Sequence, residues 1–149
     1  MFLLPRRSVL ALAAVIDVAV HAKQRPVAAK SLAARHGLPP RHLETLLQEL
    51  VRAKILKGVR GPLGGYLLAR ERRRISIADI VAAAERPGGA DEAEDRTGEL
   101  VAKVIAPAIG AASAGFFEKI GHVSVHDLCV RTGTEGFYRD SAAADDFHI

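Results

Sequence analysis

The sequence predicts a mainly α-helical protein with a small β-hairpin, that is, a winged helix-turn-helix followed by a long C-terminal dimerisation helix. Apolar residues recur at helical spacing through the first 53 residues. Two short apolar segments around a Gly- and Pro-rich turn then predict the hairpin. A second apolar stripe at helical spacing begins after residue 98 and predicts the long helix.

The first three helices form the predicted helix-turn-helix. The Ala-rich stretch 8–22 predicts the first helix, and residues 27–36 predict a short second one. Gly37 is predicted to end the second helix, because glycine readily adopts the left-handed conformation found at that position. The third helix is predicted over 41–53, where one apolar stripe faces the core: Leu43, Leu46, Leu47, Leu50 and Val51.

The change of period after the third helix indicates the wing. Residues 55–59 and 66–69 predict two strands, and the turn between them contains three glycines and a proline, which supply unusual backbone angles. A fourth helix is predicted from Ser76 to Glu85, since Ser76 and Asp79 have nearly the spacing of a capping box.

The C-terminal half predicts a separate helical part. A long helix over 99–119 has a broader apolar face than packing on its own domain requires, so part of that face is expected to contact a second chain. Pro107 lies inside this helix and is expected to kink or divide it. A short last helix is predicted from Ser124, with Asp127 at its third position. The predicted dimerisation face consists of Leu100, Val101, Val104, Ile105, Ala108, Ile109, Ala112 and Phe116.

Four parts are therefore expected: a DNA-binding winged helix-turn-helix at 1–86, an acidic loop or linker at 87–98, dimerisation helices at 99–132 and a loose tail at 133–149. Residues 1–86 contain 16 Lys or Arg and 6 Asp or Glu, whereas residues 87–149 contain 5 and 11. A basic half joined to an acidic half is typical of a polyanion-binding module with a separate partner or regulatory segment. Scattered solvated charge is the alternative.

Composition excludes several classes of protein. The one cysteine, Cys129, forms no internal disulfide and cannot by itself build a four-Cys zinc site or an all-Cys iron–sulfur site. We expect a reducing, cytoplasmic compartment. A signal peptide is disfavoured, because Asp17 interrupts an N-terminal apolar run that is also shorter than the roughly 20 residues of a membrane span. We expect no membrane segment and, since no catalytic arrangement stands out, no enzyme.

The third helix is predicted to enter the major groove of double-stranded DNA. Its first residues would point at base edges, where Arg41 can bond guanine and Glu44 can accept a hydrogen bond from cytosine, with His42 between them. Solvated surface charge is the alternative interpretation of Arg41 and Glu44.

The wing turn carries the second DNA-binding prediction. An arginine on a slim turn fits a narrow minor groove, where negative potential is concentrated, and Arg60 has this position. Residues 72–74 are either phosphate contacts or a plain charge run on a turn. The other predicted DNA contacts are cations near phosphates and glycines that let the backbone approach the duplex: Lys54, Lys57, Gly61, Gly64, Gly65 and Arg70.

Three stretches, Leu38–Glu44, Val59–Ala69 and Ile75–Glu85, carry a resemblance to a known family. The second reads Val-Arg-Gly-Pro-Leu-Gly-Gly-Tyr-Leu-Leu-Ala. With the Leu-Glu pair of the third helix it resembles the Rrf2 family, which includes the iron–sulfur-cluster, nitric-oxide and cysteine-metabolism repressors. The resemblance covers about residues 5–86 and implies a homodimer on a pseudo-palindromic operator. It also implies base or phosphate contacts by Arg41, His42 and Glu44 and a minor-groove role for Arg60.

The chain departs from the family at one place. Cluster-binding members have three cysteines between the fourth helix and the dimerisation helix, and residues 86–100 contain none. We therefore expect no cofactor and no metal, and the effector stays open. Cys129 is a candidate redox switch or else a core residue, and it forms a weaker candidate zinc trio with His122 and His126. The competing function is a winged-helix protein-interaction module without operator binding.

Overall fold

The structure is a computed structural model that describes residues 3–23, 25–86 and 98–134. Its helices are α1 (Arg6–His21), α2 (Ala29–Arg35), α3 (Pro40–Arg52), α4 (Ile77–Glu85), α5 (Ala106–Gly121) and α6 (Val125–Thr134). The strands β1 (Leu56–Val59) and β2 (Gly65–Leu68) lie between α3 and α4. A 3₁₀ turn (Arg72–Arg74) precedes α4, and a π-helical segment (Val101–Ile105) precedes α5.

An aliphatic core holds the N-terminal part together. Helix α1 contacts α3, α4, α6 and β2, so it is the central element of the packing. The predicted stripe on α3 is confirmed, since Leu43, Leu46, Leu47 and Leu50 are buried and Val51 is half-buried. Burying one such leucine side chain stabilises the fold by about 1.5–3 kcal/mol relative to leaving it in water.

Both helices of the helix-turn-helix end in the same backbone motif. Gly37 has φ +60° after α2, as predicted, and the N–H of Leu38 donates to the carbonyl of Ala33 (3.0 Å). After α3 the left-handed residue is Lys54 (φ +58°), and the N–H of Ile55 donates to the carbonyl of Leu50 (3.0 Å). A left-handed lysine is unexpected, because only glycine adopts this conformation without a steric cost.

The wing is a two-stranded antiparallel hairpin in which Leu56 lies opposite Leu68 and Val59 opposite Gly65. Val27, predicted to start the second helix, instead forms an antiparallel bridge with Tyr66, through N–H···O bonds of 2.9 and 2.8 Å. Helix α2 therefore begins two residues later than predicted, at Ala29. The bridge ties the base of the wing to the chain that enters the helix-turn-helix.

Capping boxes form at the starts of α4 and α6, which both pack on the core. Ser76 and Asp79 exchange hydrogen bonds at the start of α4 (3.1 and 3.0 Å), which confirms the predicted cap. Ser124 and Asp127 do the same at the start of α6 (3.2 and 2.8 Å). The two caps face each other as an antiparallel bridge between Ser76 and Ser124, so α6 is fixed against the start of α4.

The helix around Pro107 is continuous from Val101 to Gly121. The proline lacks an N–H for the usual helical bond, and the preceding π-helical turn adjusts the backbone there, so the helix is not divided. Within the described residues, this is the one helix that has the length and apolar composition of a membrane span. Residues 87–97 and 135–149, which contain nearly all of the predicted linker and tail, lie outside the described residues.

Asp17 is a fully buried carboxylate between α1 and the end of α2. Arg35 donates to both of its oxygens, from Nε to Oδ2 (2.9 Å) and from Nη2 to Oδ1 (2.6 Å). Nε2 of His36 lies 3.1 Å from Oδ2, and Nδ1 of His21 lies 3.1 Å from Oδ1. The network fixes α2 against α1 and thereby sets the turn that leads into α3.

We predict that Asp17→Asn lowers the free energy of unfolding by about 3 kcal/mol, because it removes the buried negative charge that accepts two hydrogen bonds from Arg35. Urea unfolding followed by circular dichroism measures the loss. Glu71→Gln is the matched control, since Glu71 is exposed and its substitution should change stability by no more than about 0.5 kcal/mol. Equal midpoints for the two variants would contradict the role given to Asp17.

Candidate nucleic-acid interface

The first turn of α3 presents three of the predicted DNA-binding residues to solvent. Pro40 begins the helix at a position whose N–H needs no helical partner, so a proline fits there. Arg41, His42 and Glu44 are exposed, while the intervening Leu43 is buried. Within the described part of the chain, no hydrogen bond or ion pair engages the Arg41 guanidinium. The turn therefore offers a free cation beside a carboxylate.

The turn of the wing is narrow because glycines form it. Gly61 has φ +116°, and the N–H of Gly64 donates to its carbonyl (2.9 Å). A Cβ at Gly64 would overlap the carbonyl oxygen of Val59, and one at Gly65 would overlap that of Val27. A larger residue at Gly64 would distort the turn, and one at Gly65 would push Val27 away from the wing.

The tip of the wing displays exposed side chains on this narrow turn. Arg60 and Lys57 are exposed, and neither makes a hydrogen bond or an ion pair to any described residue. Leu63, at the end of the turn, is 77% exposed. The predicted minor-groove arginine is therefore positioned where a duplex could reach it.

The recognition turn and the wing lie close together. Burial raises the pKa of the Tyr66 hydroxyl, and the negative charge of Glu44 raises it further. Because that effect requires proximity, the carboxylate at the start of α3 is near the second strand of the wing. The start of α3 and the base of the wing are therefore neighbours.

Two predicted phosphate contacts, Lys54 and Arg70, lie elsewhere. At about 1.5 Å per helical residue, Lys54 is about 20 Å along α3 from Arg41. Arg70 donates from Nε to the carbonyl of Lys54 (3.2 Å) and from Nη1 to that of Arg74 (3.4 Å). Arg70 therefore has a structural role that the sequence did not indicate, and both residues are separated from the recognition turn.

A groove beside the recognition turn contains residues that the sequence analysis missed. It has a volume of about 770 Å³ and lies between the start of α1 and the start of α3. Arg6 is exposed at its edge, next to Arg41 and His42. Arg7 donates to the carbonyl of Ala84 (2.9 Å) at the end of α4. The adjacent Arg6-Arg7 pair just before α1 is the sequence signal that could have indicated them.

The predicted dimerisation face is exposed in the single chain. Leu100, Val104 and Ile109 are 66%, 58% and 59% exposed, whereas Val101 and Phe116 are partly buried. Within the described residues, most of this face is therefore not covered by the chain itself. Large apolar side chains in one exposed stripe are typical of an interaction surface.

Cys129 and the described His, Asp and Glu residues do not form an iron–sulfur or other metal site. Cys129 is the single cysteine, and it is buried in the core. Among the described residues, no group of three or more His, Cys, Asp or Glu side chains is arranged to hold a metal, so the trio with His122 and His126 does not assemble. Burial raises the pKa of the Cys129 thiol, and nearby Arg72 offsets part of this rise. These features favour a core cysteine over a redox switch.

Known proteins that match this chain are named as transcriptional regulators. The model of the Rrf2 family, described as an iron-dependent transcriptional regulator, matches residues 4–131. The HTH-type transcriptional regulator IscR of Xenorhabdus nematophila is 34% identical over 88 residues, which are 59% of this chain and 54% of that protein. IscR of Vibrio cholerae is 39% identical over 75 residues, 50% of this chain and 43% of the relative. The chain thus spans about half the length of the curated relatives it matches.

Solved structures match over more of the chain. The structure of T. potens IscR has a TM-score of 0.69 and 28% identity, and the match covers 88% of both chains. That of CymR, the global cysteine regulator of B. subtilis, has a TM-score of 0.66 and 27% identity, covering 89% of this chain and 99% of the other. These likenesses confirm the predicted winged helix-turn-helix fold. The relatives are named as transcriptional regulators, which supports the prediction that the chain is not an enzyme.

We predict that the Cys129 thiol of the folded protein reacts slowly with a disulfide reagent at pH 8. A raised pKa leaves less thiolate at every pH below it, and the thiolate is the nucleophile. The rate should rise by at least tenfold in denaturing urea. Arg72→Gln should slow the reaction of the folded protein further, because it removes the charge that offsets burial. Equal rates for the folded and unfolded wild type would contradict this assignment.

Proposed function

The chain belongs to the Rrf2 family of transcriptional regulators, and on this premise we propose that it is a homodimeric, sequence-specific DNA-binding repressor that works without an iron–sulfur cluster. The observation that carries the proposal is the exposure of arginines on two neighbouring elements, α3 and the wing. There the first turn of α3 and the Gly-rich turn each present an arginine, Arg41 and Arg60, that makes no ion pair within the described part of the chain.

The two arginines have different tasks in this proposal. Arg41, with His42 and Glu44, contacts bases or phosphates in the major groove, the position a recognition helix takes. Arg60 enters the adjacent minor groove, and Gly64 and Gly65 keep the wing slim enough to follow it. Exposed cations near these two elements, such as Arg6 and Lys57, supply the non-specific attraction to the duplex.

We predict that Arg60→Ala weakens binding to a selected operator duplex by about 1–3 kcal/mol, roughly 5- to 150-fold. Fluorescence anisotropy across a salt series measures it, and wild-type affinity should fall steeply with salt because bound phosphates release counterions. Arg131→Ala is the control, since Arg131 is exposed on α6, away from the wing.

The same variants test repression. A reporter gene that contains the operator should be repressed by the wild type and by Arg131→Ala, and derepressed by Arg60→Ala. Equal wild-type affinity for all duplexes, or none, would contradict operator binding and favour a protein-interaction module. If the wild type activates the reporter, only the assignment as a repressor is contradicted, and DNA binding stands.

The exposed stripe of the long helix supports the homodimer. A second copy would cover the same stripe in a symmetric interface, because most soluble homo-oligomers are closed and two-fold. Each chain of the dimer would present one recognition helix to one half of a pseudo-palindromic operator. Dimerisation also accounts for an apolar helix in a protein that acts on DNA in the cytoplasm.

We predict that Ile109→Asp converts the dimer to a monomer at micromolar concentration, because burying an unpaired charge costs several kcal/mol. Analytical ultracentrifugation measures the change. Ala114→Asp places the same charge on an exposed position away from this stripe and should remain dimeric. A monomeric wild type, or recovery of the wild type from membranes, would contradict the proposal.

The proposal that the chain works without an iron–sulfur cluster rests on the side chains that could bind iron. One buried cysteine cannot supply the thiolates that a cluster requires. We predict that anaerobically purified protein is colourless and contains far less than one iron per chain by elemental analysis. A brown sample with stoichiometric iron would overturn this part of the proposal and leave DNA binding intact.

A further inference from the structure

A second cleft lies at the far end of α3, remote from the recognition turn. It has a volume of about 340 Å³ and is formed by the end of α3, the base of the wing and the outer side of α4. Four cationic side chains line it, two at the end of α3, one after β2 and one after α4: Arg52, Lys54, Arg70 and Arg86. We call it the basic cleft.

The carboxylates near the basic cleft already accept hydrogen bonds from other groups of the protein. Asp79, which lines it, accepts a hydrogen bond from the N–H of Ser76 in the cap of α4 (3.0 Å). Glu49 accepts from Nη1 of Arg52 (2.9 Å). These two acids offset only part of the charge of four cations, so the cleft has an excess of positive charge that an anionic ligand would neutralise.

Lys54 adds an independent observation. Its backbone has φ +58°, a conformation that costs a lysine energy and a glycine almost none. The carbonyl of this strained residue is held by Nε of Arg70 (3.2 Å). The chain thus places a cation at the edge of the basic cleft where a neutral glycine would be more stable.

The position and the size of the basic cleft indicate which kind of anion it would bind. The cleft is about 20 Å along α3 from Arg41. It is also about 13 Å along β2 from the tip of the wing, at about 3.3 Å per strand residue. Its volume falls within the range of small-molecule sites.

We propose that the basic cleft binds a small polyanion with at least two carboxylate or phosphate groups. The ligand bridges Lys54 and Arg86 and so joins the end of the recognition helix and the base of the wing to the end of α4. Through this bridge it changes operator affinity, an effect that rests on the function proposed above. Phosphates of DNA share the same chemistry, and the experiment separates the two sources.

The first measurement uses the full chain without DNA. Thermal unfolding is followed with citrate and with inorganic phosphate, at constant ionic strength set by potassium chloride. We expect a saturable rise in Tm of several degrees with citrate. Arg86→Gln should weaken the apparent affinity at least fivefold, whereas Arg73→Gln, which removes an exposed charge outside the cleft, should not.

Lys54→Gly separates binding from folding. Glycine suits the left-handed backbone, so the Tm without ligand should stay the same or rise, while the citrate response should weaken at least fivefold. A response to citrate that equals the response to potassium chloride, or that is unchanged in both Lys54→Gly and Arg86→Gln, would overturn the proposal.

The second measurement uses the operator duplex. Arg86→Gln should leave operator affinity unchanged without citrate and abolish the change that citrate causes in the wild type. Weaker binding by Arg86→Gln in the absence of citrate would assign the cleft to DNA phosphates and overturn the small-ligand proposal. If the wild type binds no DNA, the proposed function fails, and the citrate response alone decides the cleft.

Discussion

The helix-turn-helix depends on one buried carboxylate. Asp17 of α1 is fully buried, its negative charge is compensated by Arg35, and His21 and His36 contact the same carboxylate. A fully buried charge is costly unless it is paired and hydrogen-bonded, so only one arrangement of α2 against α1 satisfies it. The direction in which α3 leaves the following turn, and with it the position of Arg41, follows from that arrangement.

Local sequence rules predicted most of the helices and the hairpin, because these elements depend on near neighbours. Gly37 ended α2 and Ser76 capped α4 where spacing alone indicated. The features that the sequence could not predict depend on partners far along the chain. Val27 pairs with Tyr66, a residue that lies 39 positions later, and Asp17 pairs with Arg35 and His36, which lie 18 and 19 positions later. The left-handed backbone of Lys54 precedes the buried Ile55, and no glycine marks that position in the sequence.

The candidate interface shows the same division. Exposure of Arg41, Glu44 and Arg60 followed from the periodicity of α3 and the chemistry of the turn. Charge alone could not sort the remaining cations, since Arg7 and Arg70 hold backbone carbonyls of other elements. A basic composition therefore overstates the number of residues available to a duplex, and three-dimensional contacts are needed to assign each cation.

The bridge between Ser76 and Ser124 has a consequence for the geometry of any dimer. It fixes α6 on the core by backbone hydrogen bonds, and Val125 and Cys129 are buried beneath it. The long helix enters this junction directly from Gly121, through three residues. In the proposed dimer, this short junction would set the separation between the two α3 helices. Inserting one residue there would change that separation and, with it, the half-site spacing that the proposed dimer could read.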